Sequence, residues 1–343
     1  MRKSVKLIAV FAAVALALTG CTKKSDKPDA SNIKVGMAYD TGGKGDGSFN
    51  DAAYAGLSKA KTDLGVQIKE VEAGQNATDA SREELLRLLA KNGYNPVIAV
   101  GFLYSTAVGN VAKDYPNTNF AIVDSVVDGK NIASLVFKAE QSSYLVGVIA
   151  AKASKTGHIG FIGGMEIPLI KAFEVGYDQG AKSVNPDIMI ESKYMGPAGD
   201  NTAWNVPEKA KTATEGMIAK GVDVAYAAAG GSGLGMFQAI KAAGGPSKGL
   251  WAIGVDSDQY TMPSLADVKD VILTSALKRV DVSVFDVIKG VVDNAPLTGL
   301  QSFDLARDGV GYATSNPAVD PFKDAAETAK KDIIDGTIVV SDK

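Results

Sequence analysis

From Ile33 onward, short runs rich in Val, Ile and Ala end in Gly or Asp and alternate with longer segments whose apolar residues recur at helical spacing. That alternation is the pattern of parallel sheets joined by crossover helices. It predicts strands at 33–40, 66–71, 96–101, 119–124, 158–163, 188–195, 222–229, 250–256 and 271–276. It predicts helices at 49–64, 78–92, 103–114, 140–154, 168–184, 205–219, 234–243 and 279–293.

The second half of this pattern repeats the first at an offset of 124 to 132 residues. Phe49 and Gly56 lie over Phe173 and Gly180, and Phe120-Ala121-Ile122-Val123-Asp124-Ser125 lies over Ala252-Ile253-Gly254-Val255-Asp256-Ser257. Two open α/β lobes are therefore expected, each a doubly wound parallel sheet, joined by a hinge. In such sheets a ligand sits beyond the carboxyl ends of the strands, so facing lobes would hold it between them and close on it. Segments near 134–140, 274–279 and 308–314 are the candidate hinge crossings. On that division 33–138 with 277–308 form the first lobe, and 139–276 with 309–343 the second.

Ahead of the repeat, the basic patch Arg2, Lys3, Lys6 precedes the apolar run Leu7 to Leu18 and then Thr19-Gly20-Cys21. This reads as a secretory signal over 1–20. About a dozen apolar residues are too few to span a hydrocarbon core of roughly 30 Å, so the segment is no permanent anchor. The stretch 21–32 is mostly polar, carries no large apolar side chain after Cys21, and reads as a flexible tether.

Charge and composition then remove several function classes. Without residues 1–20 the chain carries 33 Lys and Arg against 39 Asp and Glu, which gives no basic footprint for nucleic acid or anionic lipid. Cys21 is the only cysteine and His158 the only histidine, which excludes internal disulfides, multi-histidine or cysteine metal sites and the common nucleophile–base pairs. His158 opens an apolar stretch and reads as structural. No catalytic residue, metal or cofactor is expected, and nothing in the chain calls for more than a monomer.

Candidate chemistry gathers at predicted strand ends. The first strand runs through Asp40 into Thr41-Gly42-Gly43-Lys44-Gly45-Asp46-Gly47-Ser48-Phe49-Asn50-Asp51. Glycines there let backbone approach a ligand, and Ser48 or Asn50 can cap the following helix. A plain turn does not explain Phe49. Phe49 and Phe173 are repeat equivalents at helix starts, so closure brings two aromatic rings to one slot and points to a flat heteroaromatic ligand. Asp124 and Asp256 are likewise equivalent strand ends, and ionised carboxylates accept from ring N–H, amino and hydroxyl groups. Lys278 and Arg279 follow the last strand, and spacing alone does not choose which of them enters the cleft.

Asp-x-Gly-Gly followed by Ser-Phe-Asn, then Ile122-Val123-Asp124, Ala228-Ala229-Gly230-Gly231-Ser232-Gly233-Leu234-Gly235, Gly254-Val255-Asp256 and Ser275-Ala276-Leu277-Lys278 together resemble the basic membrane protein family. These are substrate-binding lipoproteins of ABC importers, purine nucleoside receptors among them. Gly45 and Gly47 depart from the acidic and basic residues frequent there. The resemblance implies a type I periplasmic-binding-protein-like fold and a purine nucleoside ligand. It also implies delivery to a membrane permease, and an acylated Cys21, since Leu18-Thr19-Gly20-Cys21 resembles a lipobox. It places Asp40, Asn50 and Asp124 at the base edge, Phe49 and Phe173 on the base faces, Gly231 in backbone contact, and Asp256 and Lys278 on the ribose.

Other readings remain at this level. Gly231-x-Gly233-x-Gly235 with Asp256 downstream imitates a dinucleotide fingerprint, although with the wrong spacing. A sugar or furanosyl-signal receptor would share the fold. A repressor would need a DNA-reading module, and none precedes Ile33.

Overall fold

The fold was read from a computed structural model, which describes residues 30–343. The proposed signal, Cys21 and most of the tether lie outside the described residues. The last tether residues, Ala30–Asn32, form a single helical turn, and Ser31 accepts a hydrogen bond from Gln67 Nε2 at 2.9 Å. The described part of the domain thus already holds structure ahead of Ile33.

The chain first lays down β1 (Lys34–Tyr39), α1 (Phe49–Leu64), β2 (Gln67–Glu72), α2 (Asp79–Lys91), β3 (Val97–Ala99), α3 (Ser105–Asp114), β4 (Phe120–Val123) and β5 (Ile132–Phe137). It then forms α4 (Ala139–Ala153), β6 (His158–Met165), α5 (Pro168–Val184), β7 (Met189–Gly196), α6 (Pro207–Ala219), β8 (Val224–Ala228), α7 (Gly233–Ala242), β9 (Trp251–Asp256) and β10 (Ile272–Lys278). The remainder is α8 (Val280–Val292), β11 (Gly299–Phe303), β12 (Val310–Tyr312) and α9 (Lys323–Ile334).

Two six-stranded sheets result, ordered β11-β5-β4-β3-β1-β2 and β12-β10-β9-β8-β6-β7. The orders superimpose, with β1 over β6, β3 over β8, β4 over β9 and β5 over β10, so the internal repeat is a repeat of topology. Pairings within each sheet are parallel except that β12 joins β10 antiparallel. The chain passes from one sheet to the other at Lys138, at Arg279 and through 304–309.

Nearly continuous apolar strands are what a sheet covered on both faces requires. Lobe 1 packs α1 and α8 on one face around Leu57, Val284 and Ile288, and α2 and α3 on the other around Leu86, Leu89 and Val108. Lobe 2 packs α4, α5 and α9 on one face and α6 and α7 on the other. The helices α4 and α8 each follow a strand of one lobe yet pack in the other. Each sits against its neighbour through glycine: a Cβ on Gly56 would collide with the Asp281 carbonyl oxygen, and one on Gly180 with that of Tyr144.

Every predicted strand and helix is present, but four elements were not predicted. Ile132–Phe137, read as part of a crossing, is extended and also hydrogen-bonded between β4 and β11. Gly299–Phe303 is an edge strand with only Phe303 buried, and Val310–Tyr312 spans three residues. Lys323–Ile334 buries Ala326, Ala329 and Ile333, a face too small to stand out from its charged surroundings.

Candidate binding cleft between the lobes

In both sheets the order reverses beside the first strand, at β1/β3 and β6/β8, and the carboxyl ends of these strands face one another. Asp40 follows β1, Gly101 follows β3, and Ala228 to Gly231 follow β8. All three line one cavity, with about 660 Å³ of space including its mouth. The same cavity is lined by Phe49, Asn50, Asp124, Phe173, Asp256 and Lys278, so the structure brings together all eight ligand-contact positions named from the sequence.

The glycine-rich loop between β1 and α1 turns through positive φ at Gly42, Gly43, Gly45 and Gly47, conformations that favour glycine. The departures at Gly45 and Gly47 are thus met by backbone geometry. Capping differs from the expectation for Ser48 or Asn50. Asp46 performs it: Oδ1 accepts from Ser48 N at 2.9 Å and Asp51 N at 3.2 Å, and Oδ2 accepts from Asn50 N at 2.9 Å. Burial pushes the Asp46 carboxyl up to about 6 against the pull of these N–H groups. Asn50 Nδ2 also donates to Asp46 Oδ2 at 3.0 Å, leaving the buried Asn50 Oδ1 without a protein partner.

Ser48 is thereby free to reach the other lobe. Its Oγ donates to Asp256 Oδ2 at 2.6 Å, Ser257 Oγ donates to Ser48 O at 3.2 Å, and Gln259 Nε2 donates to Gly47 O at 2.6 Å. These bonds latch the loop of lobe 1 onto the end of β9, so this is a closed arrangement of the lobes.

Asp124 and Asp256 both adopt positive φ, 64° and 63°, at the ends of β4 and β9. Non-glycine residues pay for that conformation, and at equivalent strand ends it aims both carboxylates into the cleft. Lys278, at the end of β10, pairs with Asp124 across the lobes; the two side chains are 3% and 6% exposed. Its ammonium lies 4.7 Å from the Phe49 ring centre, 5.3 Å from Phe137 and 5.7 Å from Phe173. Arg279 instead forms a two-point pair with Asp281. Burial raises the Asp256 carboxyl above its usual range, partly offset by Lys278 and Ser48.

Sequence reasoning missed Phe102 and Trp204, which also line the cavity, and Arg82 behind Asp40. Phe102 and Trp204 follow the carboxyl ends of β3 and β7, the rule that had singled out Asp40 and Asp256. Phe173 stands in the second turn of α5 rather than at its start. The fingerprint glycines divide: Gly231 lines the cavity, whereas a Cβ on Gly235 would strike the Pro207 carbonyl oxygen where α7 meets α6. His158 is at the start of β6, with Nδ1 3.2 Å from the Lys220 carbonyl oxygen. Among the described residues no cluster of His, Cys, Asp or Glu is arranged to hold a metal, and no helix is long and apolar enough to cross a membrane.

The sequence profile of the Bmp family, described as ABC transporter substrate-binding protein PnrA-like, matches residues 33–343. The chain belongs to this family. Its members are transport proteins that bind substrate, so the chain is an ABC transporter substrate-binding protein. It is 35% identical, over the whole of both chains, to the ABC transporter nucleoside-binding protein BmpA of Lactococcus lactis subsp. cremoris (strain MG1363). It is also 35% identical to an uncharacterized lipoprotein of Pyrococcus horikoshii, over 93% of this chain and 77% of that one. Among solved structures, an ABC transporter solute-binding protein from Aeropyrum pernix K1 superimposes with a TM-score of 0.78 at 29% identity, covering 91% of this chain and 94% of that one. The type I-like two-lobed fold expected from the sequence is the fold found.

Proposed function

We propose that this protein is a lipid-anchored receptor that captures a purine nucleoside between its lobes and delivers it to a membrane permease. The observation that carries the reading is the cavity's composition: Asp40, Asp46, Asp124 and Asp256 against the single cation Lys278, which is already paired, with Phe49, Phe102, Phe173 and Trp204 around them. Aromatic faces suit a flat base, and each stacked base gains about 1–3 kcal/mol in nucleic-acid complexes. An acceptor-rich wall suits a ligand that presents N–H and O–H donors, as a base edge and a ribose do. The same carboxylates repel phosphate, which disfavours nucleotides and dinucleotide cofactors. In this reading Asp40, Asn50 and Asp124 read the base, Phe49 and Phe173 stack on it, Gly231 contributes backbone contact, and Asp256 with Lys278 holds the ribose. Acylation of Cys21 anchors the molecule outside the membrane; the lipoprotein name of the Pyrococcus relative supports this.

The test is calorimetric titration with inosine and hypoxanthine. Phe49→Ala weakens both ligands together. Because Asp256 also receives the Ser48 latch bond, Asp256→Ala is compared with Ser48→Ala, which removes that one latch bond and no ligand contact. Asp256→Ala should lose about tenfold or more of additional affinity for inosine but not for hypoxanthine, the loss of one hydrogen bond to a charged group. Equal additional losses for both ligands would take Asp256 off the ribose.

A further inference from the structure

Arg82 lies outside the cavity, on α2, and is 2% exposed. Its Nη2 donates to Asp40 Oδ1 at 3.3 Å, and its Nη1 donates to the Ala77 carbonyl oxygen at 2.8 Å. Its guanidinium lies 5.7 Å from the ring centre of Tyr104, whose hydroxyl donates to Tyr39 O at 3.0 Å. Nε is buried without a partner. A cation is thus placed under the first strand end, far from solvent, where an apolar residue of α2 would otherwise cover the sheet.

On Asp40 the donors converge on one oxygen. Oδ1 accepts from Thr41 N at 2.7 Å, Thr41 Oγ1 at 3.5 Å and Arg82. Oδ2 receives none of these bonds and lies against Gly101, where a Cβ would collide with it. We infer that Arg82 is a positioning residue that fixes Asp40 as an acceptor-only group, and that ligand preference at the base edge depends on this. The inference rests on the nucleoside reading above.

The physical reason is the contrast between the two ionisable partners. Arginine stays protonated throughout the accessible pH range, so its charge is constant. Asp40 is buried, and burial drives its carboxyl upward, opposed by the Thr41 N–H and by Arg82. The other ionisable groups around it are Tyr104 behind it, Glu72 on β2 beyond that, and Asp46 of the same loop, which also lines the cavity. The two carboxylates add no stabilisation to the charged form. Without Arg82 the Asp40 carboxyl would take up a proton nearer neutrality and present a donor where the ligand also presents one.

Two measurements test this, one of them free of any ligand. With ¹³C-labelled aspartate, and Asp40→Asn to assign the signal, the Asp40 carboxyl should titrate at higher pH in Arg82→Met and Arg82→Gln than in the wild type or Arg82→Lys. Unchanged titration in both neutral variants overturns the inference whatever the protein binds. Inosine affinity of the same proteins is then measured at about pH 6.5 and about pH 8. The ratio of variant to wild-type Kd should fall by roughly tenfold as pH rises, because ionisation restores the acceptor. That fall should vanish in an Asp40→Asn background. A ratio independent of pH, or a fall that persists in the Asp40→Asn background, shows Arg82 to be structural only. Shifted titration without nucleoside binding would leave the Arg82–Asp40 coupling standing and reject the nucleoside reading.

Discussion

Replacing Lys278 by Met exposes the electrostatic design of the cleft. Met keeps most of the volume and the contact with Phe49, Phe137 and Phe173 but removes the ammonium that pairs with Asp124 and offsets Asp256. Deleting one partner of a buried pair typically costs about 3–5 kcal/mol, because the survivor stays desolvated. For a chain of this size that is a fall in Tm on the order of 5–10 °C. The loss should depend on pH. The Asp256 carboxyl is already raised in the folded state, so folding stability falls as pH climbs from the ordinary aspartate value through the raised one. Without Lys278 that window moves further toward neutrality, and each unit of movement is worth about 1.4 kcal/mol. Thermal unfolding of Lys278→Met and wild type at about pH 5 and about pH 8 should give a larger gap at the higher pH, with ligand absent. A gap under about 1 kcal/mol, or one equal at both pH values, would refute the argument that Lys278 compensates buried carboxylates.

Three further outcomes are expected. Gly180→Ala places a methyl against the Tyr144 carbonyl oxygen and should cost about 1–3 kcal/mol or more by forcing α5 from α4, read as a lower denaturation midpoint. Ser48→Ala removes the 2.6 Å bond to Asp256 and should weaken nucleoside and free base alike by about tenfold, with faster release in stopped-flow, because it takes away one of the bonds that hold the lobes together rather than a ligand group. Cys21→Ala should release the protein from membranes, and an N-terminal peptide of the membrane-derived wild type without lipid mass would reject the anchor.

The fold was legible where burial is heavy. Strands such as Phe120–Val123 and Val224–Ala228 are buried at every position, and their apolar runs are unmistakable. Gly299–Phe303 and Lys323–Ile334 bury little, and their registers are set by neighbours far away in sequence. At the cleft, the repeat identified Phe49 with Phe173 and Asp124 with Asp256 because topology copies strand ends. Asp46 was overlooked as the cap because it reaches the helix N–H groups from two residues before the N-cap. Arg82 did leave a signal. It stands four residues before Leu86 and seven before Leu89, on the buried stripe of α2, where an arginine needs a partner. That partner, Asp40, is 42 residues away and was visible only in the folded chain.

Titration of the wild-type protein with inosine, hypoxanthine, ribose and a nicotinamide dinucleotide in one calorimetric series tests the central claim most directly. The acidic, aromatic cleft predicts saturable binding of inosine at least about tenfold tighter than hypoxanthine, and no binding of the dinucleotide. Tighter binding of ribose than of inosine, or no binding of any purine nucleoside, would contradict the account.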